Sequence, residues 1–153
     1  MGSLLQNMGQ LKEARPLFEE ALQARRETLG DRHPDTLGSI NNMGALLKEM
    51  GKLEEARPLF EEALQAMREV LGDRHPNTLL SIYNMGALLY GMGKLGEAVA
   101  HLEEAALGYT ETLGTDHPHT QNAASGLQRL IGHIFASLTL HQQSGLIDSM
   151  RQG

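Results

Sequence analysis

The sequence predicts an all-α fold, a solenoid of antiparallel helix pairs with about three repeats and a long C-terminal helix. A shift of 42 residues aligns segment 11–36 with segment 53–78, and 22 of the 26 positions are identical. A repeat period of about 20 to 50 residues is typical of solenoids, in which each unit buries its apolar face against its neighbours. The apolar residues are mainly Leu, Met, Ala and Ile, with three Phe, three Tyr and no Trp. Such a composition favours helices over β-sheets.

Each unit is predicted to contain two helices. Pro34 and Pro76 begin the first helix, because proline at the first helical position gives up only an N–H that has no intrahelical partner. Apolar residues follow at helical spacing, and Gly51 and Gly93 are expected to end these helices. The second helix of the unit is predicted from about Leu53 to Leu71.

A glycine in the middle of the first helix needs a separate explanation. Gly44 costs about 1 kcal/mol relative to alanine at such a position. We expect the second helix to compensate by approaching closely around Ala56 and Ala63.

The repeat divides the chain into an array, residues 1–132, and an extension or tail, residues 133–153. The array is predicted to comprise a partial unit (1–33), two full units (34–75 and 76–117) and a final helix from residue 118. Residues 4–9 align with residues 46–51. The chain is therefore expected to begin halfway through a first helix and to leave the following second helix poorly covered.

The final helix departs from the repeat, because Phe135 stands where a terminating glycine is expected. One apolar stripe continues through this position, formed by Leu127, Leu130, Ile131, Ile134, Phe135 and Leu138. We therefore expect a single helix that continues to about Gln143. An exposed apolar stripe favours association, so the sequence predicts a homodimer through this helix. The alternative is an ordinary capping helix with a frayed tail.

The helix pair resembles a known family. The segments MGALL (43–47) and ARPLFEEA (56–63) are similar to the two characteristic stretches of the tetratricopeptide repeat (TPR). Ile40 and Leu47 stand where that family has Trp and Tyr. The period of 42 residues and the Gly-x-x-His-Pro loops are similar to the repeats of kinesin light chain and nephrocystin-type proteins. The resemblance covers residues 4 to about 132 and implies a right-handed superhelix whose first helices line a concave groove for peptides.

The first helices of the two full units differ along one stripe. Beyond the first turn, the differing pairs are Gly38/Leu80, Asn41/Tyr83, Lys48/Tyr90 and Glu49/Gly91. At 100° per residue, they fall on an arc roughly 100° wide. A variable stripe on a fixed scaffold favours a binding face, and the alternative is a solvent-facing arc that varies without consequence. With the resemblance, the predicted peptide groove is lined by Asn41, Asn42, Lys48, Glu49, Tyr83, Asn84, Tyr90, Asn122 and Arg129.

Three histidines, His33, His75 and His117, recur every 42 residues, each directly before a proline. A shared zinc site would need every ligand atom about 2.1 Å from one ion. Equivalent loops of stacked helices lie at least roughly 8 to 10 Å apart. We therefore predict that these histidines cap the following helices or pack in the turns. A chance surface metal site at His117 and His119 is the alternative, and no resident metal is expected.

Composition and motifs narrow the class of function. The net charge of −6 disfavours binding to nucleic acid, and the absence of cysteine excludes thiol catalysis. No stretch approaches the ~18 apolar residues of a membrane helix, so we expect no membrane partner and a cytoplasmic location. No phosphate-binding or catalytic motif is found. The chain is predicted to be a non-enzymatic scaffold that needs no cofactor and binds a protein or peptide. The alternative is a self-assembling structural module, or a fragment of a longer natural or engineered array.

Overall fold

The computed structural model describes residues 2–153, with side chains from Asn7 onward, so Met1 of the predicted partial unit lies outside the described residues. The described part contains seven α-helices and no strand, which confirms the all-α prediction. The helices are α1 (Gly2–Leu29), α2 (Pro34–Glu49), α3 (Leu53–Leu71), α4 (Pro76–Gly91), α5 (Leu95–Leu113), α6 (Pro118–Ser137) and α7 (Leu140–Gln152). We call α2, α4 and α6 the first helices and α1, α3 and α5 the second helices. None of these described helices has the length and apolarity needed to cross a bilayer.

A histidine caps each first helix. Nδ1 of His33, His75 and His117 accepts a hydrogen bond of 3.1 Å from the backbone N–H two residues further on. The proline that follows each histidine is the first helical residue. The side-chain bond satisfies one of the backbone donors that every helix leaves unpaired at its start. The predicted capping role is confirmed, and the three histidines define the start of each unit.

Glycines with positive φ separate the two helices of a pair. Gly51 and Gly93 have φ values of 78° and 77°. The N–H of Gly51 donates to the Lys48 carbonyl, and the N–H of Lys52 donates to the Leu47 carbonyl. This pair of hydrogen bonds is the Schellman motif, which requires a residue with left-handed backbone conformation at the turn. The predicted helix ends are therefore confirmed.

The two helices of a pair meet closely at a glycine of the first helix. A Cβ atom added to Gly44 would lie 2.9 Å from Cε1 of Phe60, and one added to Gly86 would lie 2.9 Å from Cγ of Leu102. Phe60 is only 1% exposed. The predicted compensation for Gly44 is thus found, with Phe60 as the contacting side chain between Ala56 and Ala63.

The predicted continuous helix to Gln143 is wrong. α6 ends at Ser137, and Leu138 and Thr139 adopt extended backbone conformations. Thr139 then begins α7 with a capping box, in which its Oγ1 accepts from the Gln142 N–H and Gln142 Oε1 accepts from the Thr139 N–H. These two bonds supply a helix start within the apolar stripe and so interrupt it.

The prediction of a separate N-terminal half-helix that ends at Gly9 is also wrong. α1 runs through Gly9, which lacks the positive φ of its counterpart Gly51. Because no first helix packs on this part of α1 among the described residues, straight continuation satisfies more backbone groups than a turn would. The prediction that the following second helix is poorly covered is confirmed, since Phe18 is 36% exposed and Leu17 is 67% exposed.

Candidate functional site

The first helices form one surface of the solenoid. α2 contacts α4, and α4 contacts α6, while each of them also packs against a second helix. The exposed side chains of α2, α4 and α6 therefore face the same side. We call this side the groove surface.

Three predicted groove residues meet around a single pocket. Tyr83 and Tyr90 of α4 and Arg129 of α6 line a cavity of about 330 Å³. The remaining lining residues are Ala87, Gly126 and Leu102. We call this cavity the tyrosine–arginine pocket.

A glycine keeps the tyrosine–arginine pocket open. Gly126 occupies the position of Asn42 and Asn84 in the two preceding units. A Cβ at Gly126 would lie 3.7 Å from Cε2 of Tyr83, so an asparagine side chain there would extend into the pocket. Sequence reasoning missed this residue, although comparison of the third unit with the first two shows the loss of asparagine.

The cation of the pocket is available to a ligand. Arg129 is exposed, and no carboxylate among the described side chains, 7–153, forms an ion pair with it. Tyr90 is 41% exposed. The ring of His133, which the sequence analysis did not include, lies edge-to-face with Tyr90 at a centroid distance of 5.9 Å. Aromatic rings with polar tips beside a free guanidinium can bind apolar side chains and hydrogen-bond acceptors together.

Asn41 does not belong to the groove surface. It is 6% exposed, its Oδ1 accepts a bond of 3.3 Å from Ser81 Oγ, and its Nδ2 lies 3.8 Å from Met67 Sδ. Both ends of the amide are thus engaged, one with α3 of the same unit and one with α4 of the next unit. The helical projection at 100° per residue predicted Asn41 on the groove arc. The packing of α3 and α4 buries it instead.

The other predicted residues lie at different depths and places. Asn42 and Asn122 are exposed, and Asn84 is half-buried. Lys48 is half-buried, and this burial lowers the pKa of its ammonium. Glu49 lies apart from the tyrosine–arginine pocket, because it lines a cavity of about 500 Å³ with residues 7–14 of α1.

Only some of the predicted self-association residues line a second cavity. Leu130 is fully buried in the core, and Leu127 and Ile134 are partly buried against it. Leu138 lies at the link to α7. An apolar cavity of about 690 Å³, which we call the C-terminal cleft, is lined mainly by Ile131, Ile134 and Phe135 of α6 and by Leu146, Ile147 and Met150 of α7.

Comparison with known proteins identifies the family. Two family models, each described as tetratricopeptide repeat, match residues 1–35 and 35–106. The chain belongs to the tetratricopeptide repeat family. The resemblance inferred from the helix pair is therefore confirmed. A search of curated protein sequences found no match.

Solved structures support the same assignment. A Podosopora anserina protein described as a kinesin light chain with nearly identical TPR-like repeats has a TM-score of 0.76 and 29% identity, over 82% of this chain and 59% of that chain. A variant of that protein gives the same TM-score and identity and is covered to 58%. BtubC (BKLC) from P. vanneervenii has a TM-score of 0.65 and 19% identity, over 94% of this chain and 59% of that chain, and shows the fold alone. The chain thus spans about three fifths of the length of each of these three structures.

The family sets the general class of function. Tetratricopeptide repeats generally mediate protein–protein interactions and are typically non-enzymatic scaffolds.

Proposed function

We propose that this chain is an interaction scaffold that binds a protein segment on its groove surface, with the tyrosine–arginine pocket as the anchor. The observation that carries this proposal is the convergence of Tyr83, Tyr90 and Arg129 from two repeats around one cavity. Tyr83 and Tyr90 lie two turns apart on α4, and Arg129 lies on α6 of the next unit. Tyr83 is partly buried against the core, whereas Tyr90 and Arg129 are exposed. Exposed Tyr and Arg side chains beside a cavity are typical of residues that dominate binding energy.

The form of the pocket indicates what kind of segment it accepts. A cavity of about 330 Å³ accommodates one large side chain, and Arg129 can pair with a carboxylate or a backbone carbonyl near it. Asn42 and Asn122 lie exposed on the same surface. Amide side chains offer both donors and acceptors to an extended backbone. The bound segment therefore inserts one side chain and lies across α2, α4 and α6.

Selection from a random peptide display library, followed by affinity measurement on the selected peptides, tests this proposal. Tyr90→Ala and Arg129→Ala should each weaken binding about tenfold or more, because each removes an anchor contact. Gly126→Asn should also weaken binding, although it removes no groove side chain, because it fills the pocket.

Two substitutions of matched chemistry serve as controls. Leu107 is 55% exposed on α5, and Arg151 is exposed on α7, both away from the groove surface. Leu107→Ala and Arg151→Ala should leave peptide affinity unchanged. Unchanged affinity in Tyr90→Ala, Arg129→Ala and Gly126→Asn would contradict the proposal, since the selected peptides would then bind elsewhere.

We also propose that two copies associate through the C-terminal cleft. Ile131 of α6 is 49% exposed, and Leu146 and Met150 of α7 are 43% and 75% exposed. Exposed apolar surface of this kind stabilises contact with another apolar surface. A symmetric dimer would bring the two clefts together.

Absolute mass by light scattering over a concentration series tests this second proposal. We expect a dimer that Ile131→Asp dissociates, because a charge in the cleft would be buried at the interface. Leu107→Asp, a charge at an exposed apolar residue of α5, is the matched control and should leave the dimer intact. A monomer at all concentrations would contradict the proposal.

A further inference from the structure

The outer face of α1 carries side chains that are buried elsewhere in the chain. A shift of 42 residues places Phe18 at the position of Phe60 and Ala21 at that of Ala63. Phe60 and Ala63 are 1% and 0% exposed, because α2 covers them. Phe18 is 36% exposed, and Ala21 is also exposed. The face of α1 therefore has the shape of a surface that a first helix normally covers.

Charged pairs connect α3 and α5 to the preceding unit. Arg26 donates to both carboxylate oxygens of Glu62 at 2.9 and 3.2 Å, and Arg68 donates to both of Glu104 at 2.7 and 2.8 Å. A second set joins Arg32 to Glu69 and Arg74 to Glu111, both at 2.7 Å. We call these four pairs the arginine–glutamate ladder. α3 and α5 thus each receive two arginines from the unit before them.

α1 carries the acceptor half of this ladder. Glu20 occupies the position of Glu62 and Glu104, and Glu27 occupies the position of Glu69 and Glu111. Within the described side chains, 7–153, no arginine or lysine forms an ion pair with either of them. The face of α1 is therefore complementary in charge to two arginines as well as in shape to a first helix.

The C-terminal end of another copy cannot supply this partner. The positions of the donors Arg26 and Arg32 are held by Thr110 and Asp116 in the last unit. Asp116 would face Glu27, and two like charges repel. Gln128 also replaces the glycine that lets a first helix approach Phe60 or Leu102. Head-to-tail stacking of identical copies is thus opposed at three positions.

We propose that the outer face of α1 docks a helix–loop–helix segment of the same repeat type, with arginines at the positions of Arg26 and Arg32 and a glycine at the position of Gly44. The arginines bind Glu20 and Glu27, and the glycine-containing helix covers Phe18. Segment 11–49 of this chain, which covers α3 in this way, is the example of such a partner. This surface is independent of the groove surface, and its test can succeed or fail without affecting peptide binding.

An extended chain tests the docking surface directly. Residues 1–43 joined to residues 2–153 keep the repeat in register, because the new Met43–Gly2 step reproduces the Met43–Gly44 step. We expect the α1 amides of the original copy to exchange with solvent about tenfold more slowly than in the unextended chain, relative to the amides of α5. Replacing both arginines of the added copy, Arg26→Ala and Arg32→Ala, should make these α1 amides exchange roughly threefold faster than in the extended chain with both arginines.

Control measurements keep the outcomes distinct. Lys12→Ala in the added copy changes an exposed cation outside the ladder and should leave the protection unchanged. In the unextended chain, Phe18→Asp should leave the molecular mass unchanged, because the C-terminal end of a second copy does not dock there. Equal α1 exchange in the extended and unextended chains would overturn the proposal. Equal protection with and without the two arginines, or a lower mass in Phe18→Asp, would overturn its selectivity.

Discussion

The helix pairs α2–α3 and α6–α7 occupy equivalent places in the repeat and pack very differently. α3 buries Phe60 and its neighbouring alanines against α2, whereas none of the described residues 140–152 of α7 is buried. Ser144 stands at the position of Phe60, and Gln128 at the position of Gly44. A small residue on the first helix and a large one on the second are matched in α2–α3, and both are lost in α6–α7. A helix pair of this kind therefore depends on the match between two positions more than on total apolarity.

The largest effect should come from the large partner of the matched pair. Phe60→Ala should lower the free energy of unfolding by about 3 to 5 kcal/mol, because it leaves a cavity in the core. Ser144→Ala, at the equivalent position of α7, should change it by less than about 0.5 kcal/mol. Urea denaturation of both variants measures the difference. Similar losses in the two variants would contradict the comparison.

The small partner should show a smaller effect of the same kind. Gly44→Ala should lower the free energy of unfolding by about 1 to 3 kcal/mol, because the added methyl overlaps a ring that has no room to move. This net loss is expected because the steric cost of the methyl group exceeds the helix-propensity gain of about 1 kcal/mol that alanine brings. Gln128→Ala is the matched control and should be neutral or slightly stabilising. A net stabilisation by Gly44→Ala would show that the close contact does not hold the pair together.

Two glycines at equivalent positions should respond with opposite signs. Gly51→Ala should lower the free energy of unfolding by about 1 to 2 kcal/mol, because alanine is strained in the left-handed region. Gly9→Ala should raise it by about 0.5 to 1 kcal/mol, because Gly9 is inside a helix. Thermal melts of both variants provide the measurement. A loss of stability in Gly9→Ala would indicate that a turn forms at Gly9, as it does at Gly51.

The smallest effect concerns the charges that join neighbouring units. The hydrogen bonds from Arg68 lower the pKa of the Glu104 carboxyl. Because the folded-state pKa lies below the unfolded value of about 4.3, the stabilisation is complete above that value and is lost as the pH falls through the folded pKa. Glu104→Gln should therefore cost no more than about 1 kcal/mol at neutral pH, and the cost should shrink in acid. Glu103→Gln, at a neighbouring exposed carboxylate, is the matched control and should change the free energy of unfolding at neutral pH by less than about 0.5 kcal/mol.

Much of the fold could be predicted from local signals in the sequence. His-Pro steps marked the helix starts at Pro34 and Pro76, and glycines marked the turns at Gly51 and Gly93. These signals act within a few residues, so they can be interpreted without the tertiary structure. The break after Ser137 was missed because the apolar stripe continues across it, while the start signal of α7 consists only of Thr139 and Gln142.

The candidate site was less accessible from the sequence. Tyr83 and Tyr90 were identified because they vary between equivalent positions, and Arg129 was identified from the family resemblance. The structure brings the three residues together. Asn41 varies in the same way, but its burial depends on Ser81 and Met67, which only the folded chain places beside it. A helical projection gives direction around one helix and does not include the neighbours that cover it.

Fluorine NMR of the chain labelled with fluorotyrosine tests the central claim most directly, because the chain has three tyrosines and two of them line the pocket. Tyr109 is the internal control, since it is 3% exposed and burial raises its pKa to about 12. On addition of a peptide selected from the library, we predict that the Tyr83 and Tyr90 signals shift strongly and that the Tyr109 signal shifts little. Bound peptide with all three tyrosine signals unchanged would contradict binding on the groove surface.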